Sequence, residues 1–156
     1  MGISFRIVSA VALLSLAAST SFASDTAVSA DGSCAPRVVD GWLRAPPMPM
    51  PMMAGFGRIE NACTGEVVVT AARSDVFGSV ELHETTVVDG VSRMREVAGL
   101  PVAAGGEAVL QPGGLHLMLM QPVSPLAEGD IARVEFTLAD GRSIAADFEV
   151  RAANAR

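Results

Sequence analysis

Lysine and tyrosine are absent from this chain of 156 residues, and histidine and cysteine occur only twice each. The positive charges are 11 scattered arginines within a net charge of -6, so the chain lacks the basic cluster with which proteins bind nucleic acid. No apolar run reaches the roughly 20 residues that a membrane-spanning helix needs. These absences predict a soluble acidic protein with few ways of holding a metal ion.

The first 23 residues have the pattern of an export signal. Arg6 precedes a short apolar stretch at residues 7–18, and Ser21-Phe22-Ala23 matches a small-x-small cleavage site. Cleavage after Ala23 implies an exported protein, most simply in a bacterial periplasm, although a eukaryotic secretory route uses a similar segment. Beyond the signal we expect a flexible segment at residues 24–36, one domain at residues 37–150 and a short polar tail at residues 151–156.

Cys34 and Cys63 are the two cysteines, and an even pair in an exported protein is most simply a disulfide. Such a bond would join the start of the mature chain to the turn at residues 61–65. The alternative is a thiol pair with a redox or copper-binding role, although the two residues lack CxxC spacing.

Alternating apolar and polar residues with frequent turn signals indicate an all-β domain. Turns are marked by sequences such as Asp89-Gly90 and Asp140-Gly141. Many short strands of this kind are typical of an antiparallel β-sandwich or a Greek-key barrel. The predicted strands cover residues 37–45, 54–60, 66–74, 79–87, 91–97, 107–110, 115–121, 131–139 and 143–150.

The predicted strand at residues 115–121 has two different faces. Because residues two apart share a face of a strand, its leucines lie on one face and its histidine and methionines on the other. The second face carries His116, Met118 and Met120. Leucine is the better core residue, so we expect this His/Met face to point away from the main core.

The Asp89-Gly90 sequence predicts a two-residue hairpin turn that brings a second histidine and methionine together. In the register that follows from this turn, Met94 faces Thr85 and His83 faces Glu96. His83 and Met94 are then diagonal neighbours on one face, within reach of each other. If the hairpin approaches the strand at residues 115–121, a four-ligand site forms near the surface.

Two imidazoles and two thioethers are a soft, uncharged ligand set that suits Cu(I) and suits zinc, calcium or magnesium badly. A single histidine or methionine is usually a solvated or a core residue, so the prediction depends on the combination. Because four neutral ligands leave the charge of the ion uncompensated, they favour an exchangeable site. The predicted ligands are His83, Met94, His116 and Met118, with Met120 as a neighbour on the same face.

The spacing His83-x10-Met94-x21-His116-x-Met118 resembles the motif of the periplasmic copper chaperones called PCu(A)C. The flanking sequences GWLRAPP, VELHE, MREV and PGGLHLMLM are similar too, so the likeness extends over about residues 41–150. The resemblance implies a cupredoxin-like fold and Cu(I) bound by these two His and two Met. It also implies delivery of copper toward the CuA centre of cytochrome c oxidase, alongside Sco-type assembly proteins, and we expect a monomer.

Two features depart from that family pattern. Many relatives carry a His/Met-rich C-terminal tail that recruits a second copper, whereas residues 151–156 contain no ligand. The cysteine pair is not part of the family motif.

A second methionine cluster lies in the sequence PPMPMPMM at residues 46–53. Alternating proline favours an extended, polyproline-like segment. The segment is either an apolar loop that caps the barrel or a source of auxiliary thioethers that shield copper or pass it on. Its methionines are Met48, Met50, Met52 and Met53.

Three other functions would also involve the histidines. A blue-copper electron carrier needs a thiolate ligand, and no cysteine lies near His116 in the sequence. A zinc hydrolase would combine both histidines with Glu81 or Glu84. Copper sequestration or resistance would use the same four ligands as delivery, and the sequence does not separate the two. We expect a protein that is not an enzyme.

Overall fold

The computed structural model describes residues 34–48 and 50–155. The predicted signal peptide at residues 1–23, and all but the last three residues of the predicted flexible segment, lie outside the described residues. In the described part no helix is long and apolar enough to cross a membrane. The strands are β1 (Arg37–Arg44), β2 (Met52–Glu60), β3 (Val67–Arg73), β4 (Phe77–Val88), β5 (Val91–Glu96), β6 (Leu100–Val102), β7 (Glu107–Leu110), β8 (Leu115–Pro122), β9 (Ile131–Leu138) and β10 (Ser143–Arg151).

Seven of these strands form a closed barrel. Their order is β4-β8-β2-β1-β10-β9-β3, and the pairing of Ala72 in β3 with Val80 in β4 closes the ring. Strand β5 extends the sheet beyond β4, while β6 pairs with β3 and β7 with β2. The predicted all-β, cupredoxin-like Greek-key class is therefore confirmed.

The core is filled from one face of each barrel strand. Leu117 and Leu119 of β8 and Leu43 of β1 are completely buried. Gly55 of β2 lies against all three, and a Cβ at this position would come within 3.0–3.1 Å of their side chains. Each buried leucine stabilises the folded chain by roughly 1.5–3 kcal/mol relative to an exposed leucine. This packing fixes the pairing of β2 with β8, and with it the positions of the side chains on the outer face.

The structure differs from the sequence prediction at some strand ends. The three-residue strand β6 is absent from the prediction because so short a segment shows no alternation. Strand β2 begins at Met52 rather than at residue 54, because Met52 pairs with Met120 of β8. The methionine and proline segment is therefore partly strand and not wholly a loop.

A disulfide joins Cys34 to Cys63, with the two Cα atoms 5.6 Å apart. Cys63 follows β2, in a loop that is ordered by the buried side chain of Asn61. The Asn61 amide donates hydrogen bonds to the carbonyl oxygens of Gly65 and Val102, at 2.8 and 3.0 Å. The crosslink holds the start of the described chain against the loop between β2 and β3.

Candidate metal centre

Three neighbouring strands bring the four predicted ligands together. Strand β4 lies between β5 and β8. His83 of β4 is directly opposite His116 of β8, and the centroids of the two rings are 6.0 Å apart. Met94 lies on β5 and Met118 on β8. The hairpin and the strand therefore lie side by side. Local sequence patterns do not determine this arrangement.

The β4–β5 hairpin has the predicted register, with Thr85 opposite Met94 and His83 opposite Glu96. Its turn residues Asp89 and Gly90 have φ values of 51° and 77°. Two positive values are what a two-residue type I′ turn requires. The turn therefore determines which face of β5 carries Met94.

His116 is oriented by a hydrogen bond that its Nδ1 donates to the carbonyl oxygen of Gly114, at 2.9 Å. A carbonyl oxygen only accepts, so Nδ1 carries the proton and Nε2 of the neutral ring has a free lone pair. Nε2 lies 3.3 Å from Sδ of Met94. A thioether has no proton to donate, so the two atoms direct lone pairs into the same space. Two ligands of a soft cation have this arrangement, and metal-binding histidines commonly donate their other N–H to an acceptor.

His116 is buried, at 7% exposure, whereas Met94 is 55% exposed. The expectation of a site near the surface holds for the methionine and not for the imidazole. The Met94 thioether packs against His116 from the exposed strand β5. The buried imidazole is therefore covered by a flexible methionine side chain.

His83 is oriented by Glu81, two residues earlier on the same face of β4. The carboxylate Oε2 of Glu81 accepts a hydrogen bond from Nε2 of His83 at 3.0 Å, which leaves the lone pair on Nδ1. Nδ1 is buried and has no hydrogen-bond partner among the described residues. A buried polar atom without a partner costs about 1–3 kcal/mol, and a bound cation would remove that cost.

Met118 is diagonal to His83, because it pairs with Glu81 on β4. It is half-buried and shares the outer face of β8 with His116. Met120 is one step further along this face, between Ser79 of β4 and Met52 of β2. The predicted ligands form one group, and Met120 adjoins it.

The methionines of the cluster at residues 46–53 lie in three environments. Met52 is half-buried on the outer face of β2, and Met53 is 5% exposed in the core. Met48 and Met50 are 64% and 43% exposed. They line an apolar groove of about 700 Å³ together with residues such as Pro122.

Two groups that orient the histidines have weak signals in the sequence. Alternation places Glu81 on the face of His83, but it does not indicate their hydrogen bond. The Gly114 carbonyl has no side-chain signal at all. Glu84, the other carboxylate considered for zinc, is paired with Arg95. Within residues 34–48 and 50–155 there is no group of three or more His, Cys, Asp or Glu side chains that could hold a metal ion.

Comparison with known proteins identifies the family. A family model described as putative lipoprotein LpqE-like matches residues 37–150. The chain belongs to this LpqE-like family. A relative, the putative lipoprotein Lxx21020 of Leifsonia xyli subsp. xyli, is 37% identical over 91 residues, which are 58% of this chain and 55% of the relative. The LpqE-like chain thus spans about half the length of that curated relative.

Solved PCuAC domains have the same fold as this LpqE-like chain. The copper-bound PCuAC domain from PmoF2 matches with a TM-score of 0.60 and 18% identity, over 74% of this chain and 91% of that domain. The solution structure of CuI-DR1885 from Deinococcus radiodurans matches with a TM-score of 0.58 and 26% identity, over 71% and 74% of the two chains. The resemblance to PCu(A)C is therefore supported in the fold. The names of these proteins describe a putative lipoprotein, a copper-bound PCuAC domain and CuI-DR1885, and none of them describes an enzyme, as expected.

Proposed function

We propose that this protein binds Cu(I) through His83, Met94, His116 and Met118. The observation that carries the proposal is the 3.3 Å approach of His116 Nε2 to Met94 Sδ, two lone-pair donors with no proton to share in the neutral state. The buried Nδ1 of His83, which lacks a partner in the described part of the chain, is a third donor in the same group. Similar solved structures named as copper-bound and CuI-bound support the choice of metal.

The proposed role is that of a monomeric copper chaperone. One ligand, Met94, is more than half exposed, and none of the four carries a formal negative charge, so the ion should exchange readily. We propose that it is delivered toward the CuA centre of cytochrome c oxidase, either to the CuA-bearing subunit or to a Sco-type assembly protein. Sequestration uses the same ligands and differs in the fate of the metal.

An electron-transfer role is disfavoured by the cysteines. A blue-copper centre needs a thiolate ligand. The chain has 2 cysteines, and both are used in the disulfide between Cys34 and Cys63.

Competition for Cu(I) with a chromogenic chelator tests the ligand set. We expect His83→Ala and His116→Ala to lower Cu(I) affinity by more than about 100-fold, and Met94→Leu and Met118→Leu by about 10–100-fold, because each change removes a direct ligand. Met48→Leu, at an exposed position outside β2, is the matched control and should bind like the wild type. Wild-type affinity in both His116→Ala and Met94→Leu would overturn the proposal.

Mixing the Cu(I)-loaded protein with an apo CuA domain tests delivery. A chaperone should lose its copper to the domain, and the CuA absorption should develop after oxidation. A protein that retains its copper under these conditions would instead be assigned to sequestration.

We further propose export across the cytoplasmic membrane, into the periplasm where a cell has one. Family names that contain the word lipoprotein are in keeping with an envelope protein. Expression in a bacterial host, followed by fractionation and intact-mass measurement, should give a mature chain that begins at Ser24. An uncleaved chain in the cytoplasm would contradict this.

A further inference from the structure

We propose a second Cu(I) site, made of the thioethers of Met52 and Met120, beside the His/Met site. A copper ion at this second site would adjoin Met118, a ligand of the first site, so the proposal deepens the proposed function. The second site rests on that function only for the source of the ion. Binding at the second site requires neither histidine.

The register of β2 against β8 carries this inference. Met52 pairs directly with Met120, and the next pair on the same face is Ala54 with Met118. Directly opposite residues have Cβ atoms about 4.5–5.5 Å apart, so two flexible methionine side chains can bind one ion between them. Met118 is about 7 Å further along β8 and therefore adjoins both sites.

The outer position of these two side chains follows from their neighbours. Met53 and Leu119, which alternate with them along β2 and β8, are 5% and 0% exposed in the core. Met52 and Met120 consequently lie on the opposite face, where both are half-buried. Because these two thioethers lie outside the core and are partly exposed, packing of the core does not account for them. Thioether sulfur is a ligand that selects Cu(I).

The charges around the pair suit a cation. From β4, Met120 faces the hydroxyl residue Ser79, and Met118 faces the carboxylate of Glu81. Arg44, which faces Ala54 from β1, has its guanidinium 5.5 Å from the ring centroid of Trp42 and 4.9 Å from that of Phe56. Because Phe56 is the residue of β2 on the far side of Ala54 from Met52, the positive charge lies away from the methionine pair.

The segment that precedes the second site lies beside β8. Pro51 precedes Met52, and its carbonyl oxygen accepts a hydrogen bond from the backbone N–H of Gln121 at 2.7 Å, which keeps the segment beside β8. Met50, two residues before Met52, is 43% exposed and lines the apolar groove. The segment therefore carries a further, exposed thioether two residues before the pair.

Anaerobic titration of the mature chain with Cu(I), followed by native mass spectrometry and by NMR of 13C-labelled methionine methyl groups, tests the proposal. We expect two bound ions in the wild type, with methyl shifts at Met52 and Met120 as the second ion binds. The double variant Met52→Leu/Met120→Leu should bind one ion with unchanged affinity at the tighter site. Met53→Leu, from the same segment but on the core face, is the matched control and should bind two.

A single ion in the wild type, or two ions in the Met52→Leu/Met120→Leu variant, would overturn the second site. The wild-type methyl shifts need no substitution, so unshifted Met52 and Met120 signals would overturn it even if a variant misfolds. The double variant His83→Ala/His116→Ala separates the two proposals. It should lose the tighter ion and keep the one that shifts Met52 and Met120, whereas retention of the tighter ion contradicts the His/Met site alone.

Discussion

The two histidines leave different ring nitrogens free for a metal. His116 donates Nδ1–H to the Gly114 carbonyl oxygen, so its ligand atom is Nε2. His83 uses Nε2 toward Glu81, so its ligand atom is Nδ1. One orienting group belongs to the backbone and the other is a side chain, and only the second can be altered by a simple substitution.

Glu81 should therefore tune copper affinity without binding copper. Loss of the group that orients a histidine ligand typically lowers metal affinity 10–100-fold. We expect Glu81→Ala to lower Cu(I) affinity by about that factor, and Glu81→Gln by less, because the amide oxygen still accepts a hydrogen bond. Competition titration measures both effects. Glu84→Gln, which removes a carboxylate paired with Arg95, is the control and should bind normally. Equal affinity in Glu81→Ala and the control would refute this role.

Among the larger elements, strand β5 and the end of β4 beyond Glu84 form an arm that extends from the barrel. All residues of β5 are exposed, and Val87 of β4 is 69% exposed. The arm contributes Met94 to the site but adds little to the core. Its geometry depends mainly on the turn, where Gly90 has a φ of 77°.

Substitution of Gly90 should loosen the arm while the barrel stays folded. A non-glycine residue at positive φ costs about 1–2 kcal/mol, and an arm with few buried contacts opens locally. We expect Gly90→Ala to speed hydrogen exchange in β5 and to lower Cu(I) affinity by up to about tenfold, with little change in global unfolding. Gly65→Ala is the control, because a Cβ there meets no atom within 4 Å and its φ is not positive. Unchanged exchange in β5 of Gly90→Ala would contradict the prediction.

Local signals in the sequence predicted the strands and turns better than they predicted which strands pair with each other. Alternation along β8 and the turn at Asp89-Gly90 determine which side chains share a face, and both are visible in a few residues. The pairing of His83 with His116 joins distant segments through core packing, so no local pattern contains it. The strand position of Met52 likewise depends on β8, because the surrounding prolines favour an extended loop.

At the scale of the whole molecule, the disulfide and the candidate metal centre are separate. Strand β2 leads from Met52, beside the candidate sites, to Glu60, and Cys63 follows in the loop beyond. The crosslink and the ligands therefore stabilise different parts of the barrel.

Removal of the disulfide should lower stability without weakening copper binding. A crosslink between residues 29 positions apart stabilises by about 3–4 kcal/mol in the chain-entropy model. We expect Cys34→Ser/Cys63→Ser to lose about that free energy of unfolding in denaturant titrations and to keep its Cu(I) affinity under native conditions. A parallel loss of affinity would show that the loop supports the site after all.

Exposed ion pairs make the stability of the barrel depend on pH in the acidic range. Hydrogen bonds from Arg73 to Glu135, and from Arg142 to Asp140, lower the pKa of each carboxyl. Because these pKa values are lower in the folded than in the unfolded chain, the stabilisation is present above the unfolded values near 4 and is lost as pH falls through the folded ones. Denaturant titrations should show the free energy of unfolding falling below about pH 4, less steeply in Glu135→Gln. An identical slope in that variant would contradict this assignment.

The arm also has a kinetic consequence. Met94 lies on the exposed strand β5, whereas His83 lies where β4 is still paired with β8. The rate constant for copper dissociation should then follow opening of the arm and not unfolding of the barrel. In chelator-chase experiments we expect faster release from Gly90→Ala and an unchanged release rate from the disulfide variant, so that a carrier of high stability can still have a short residence time for its cargo.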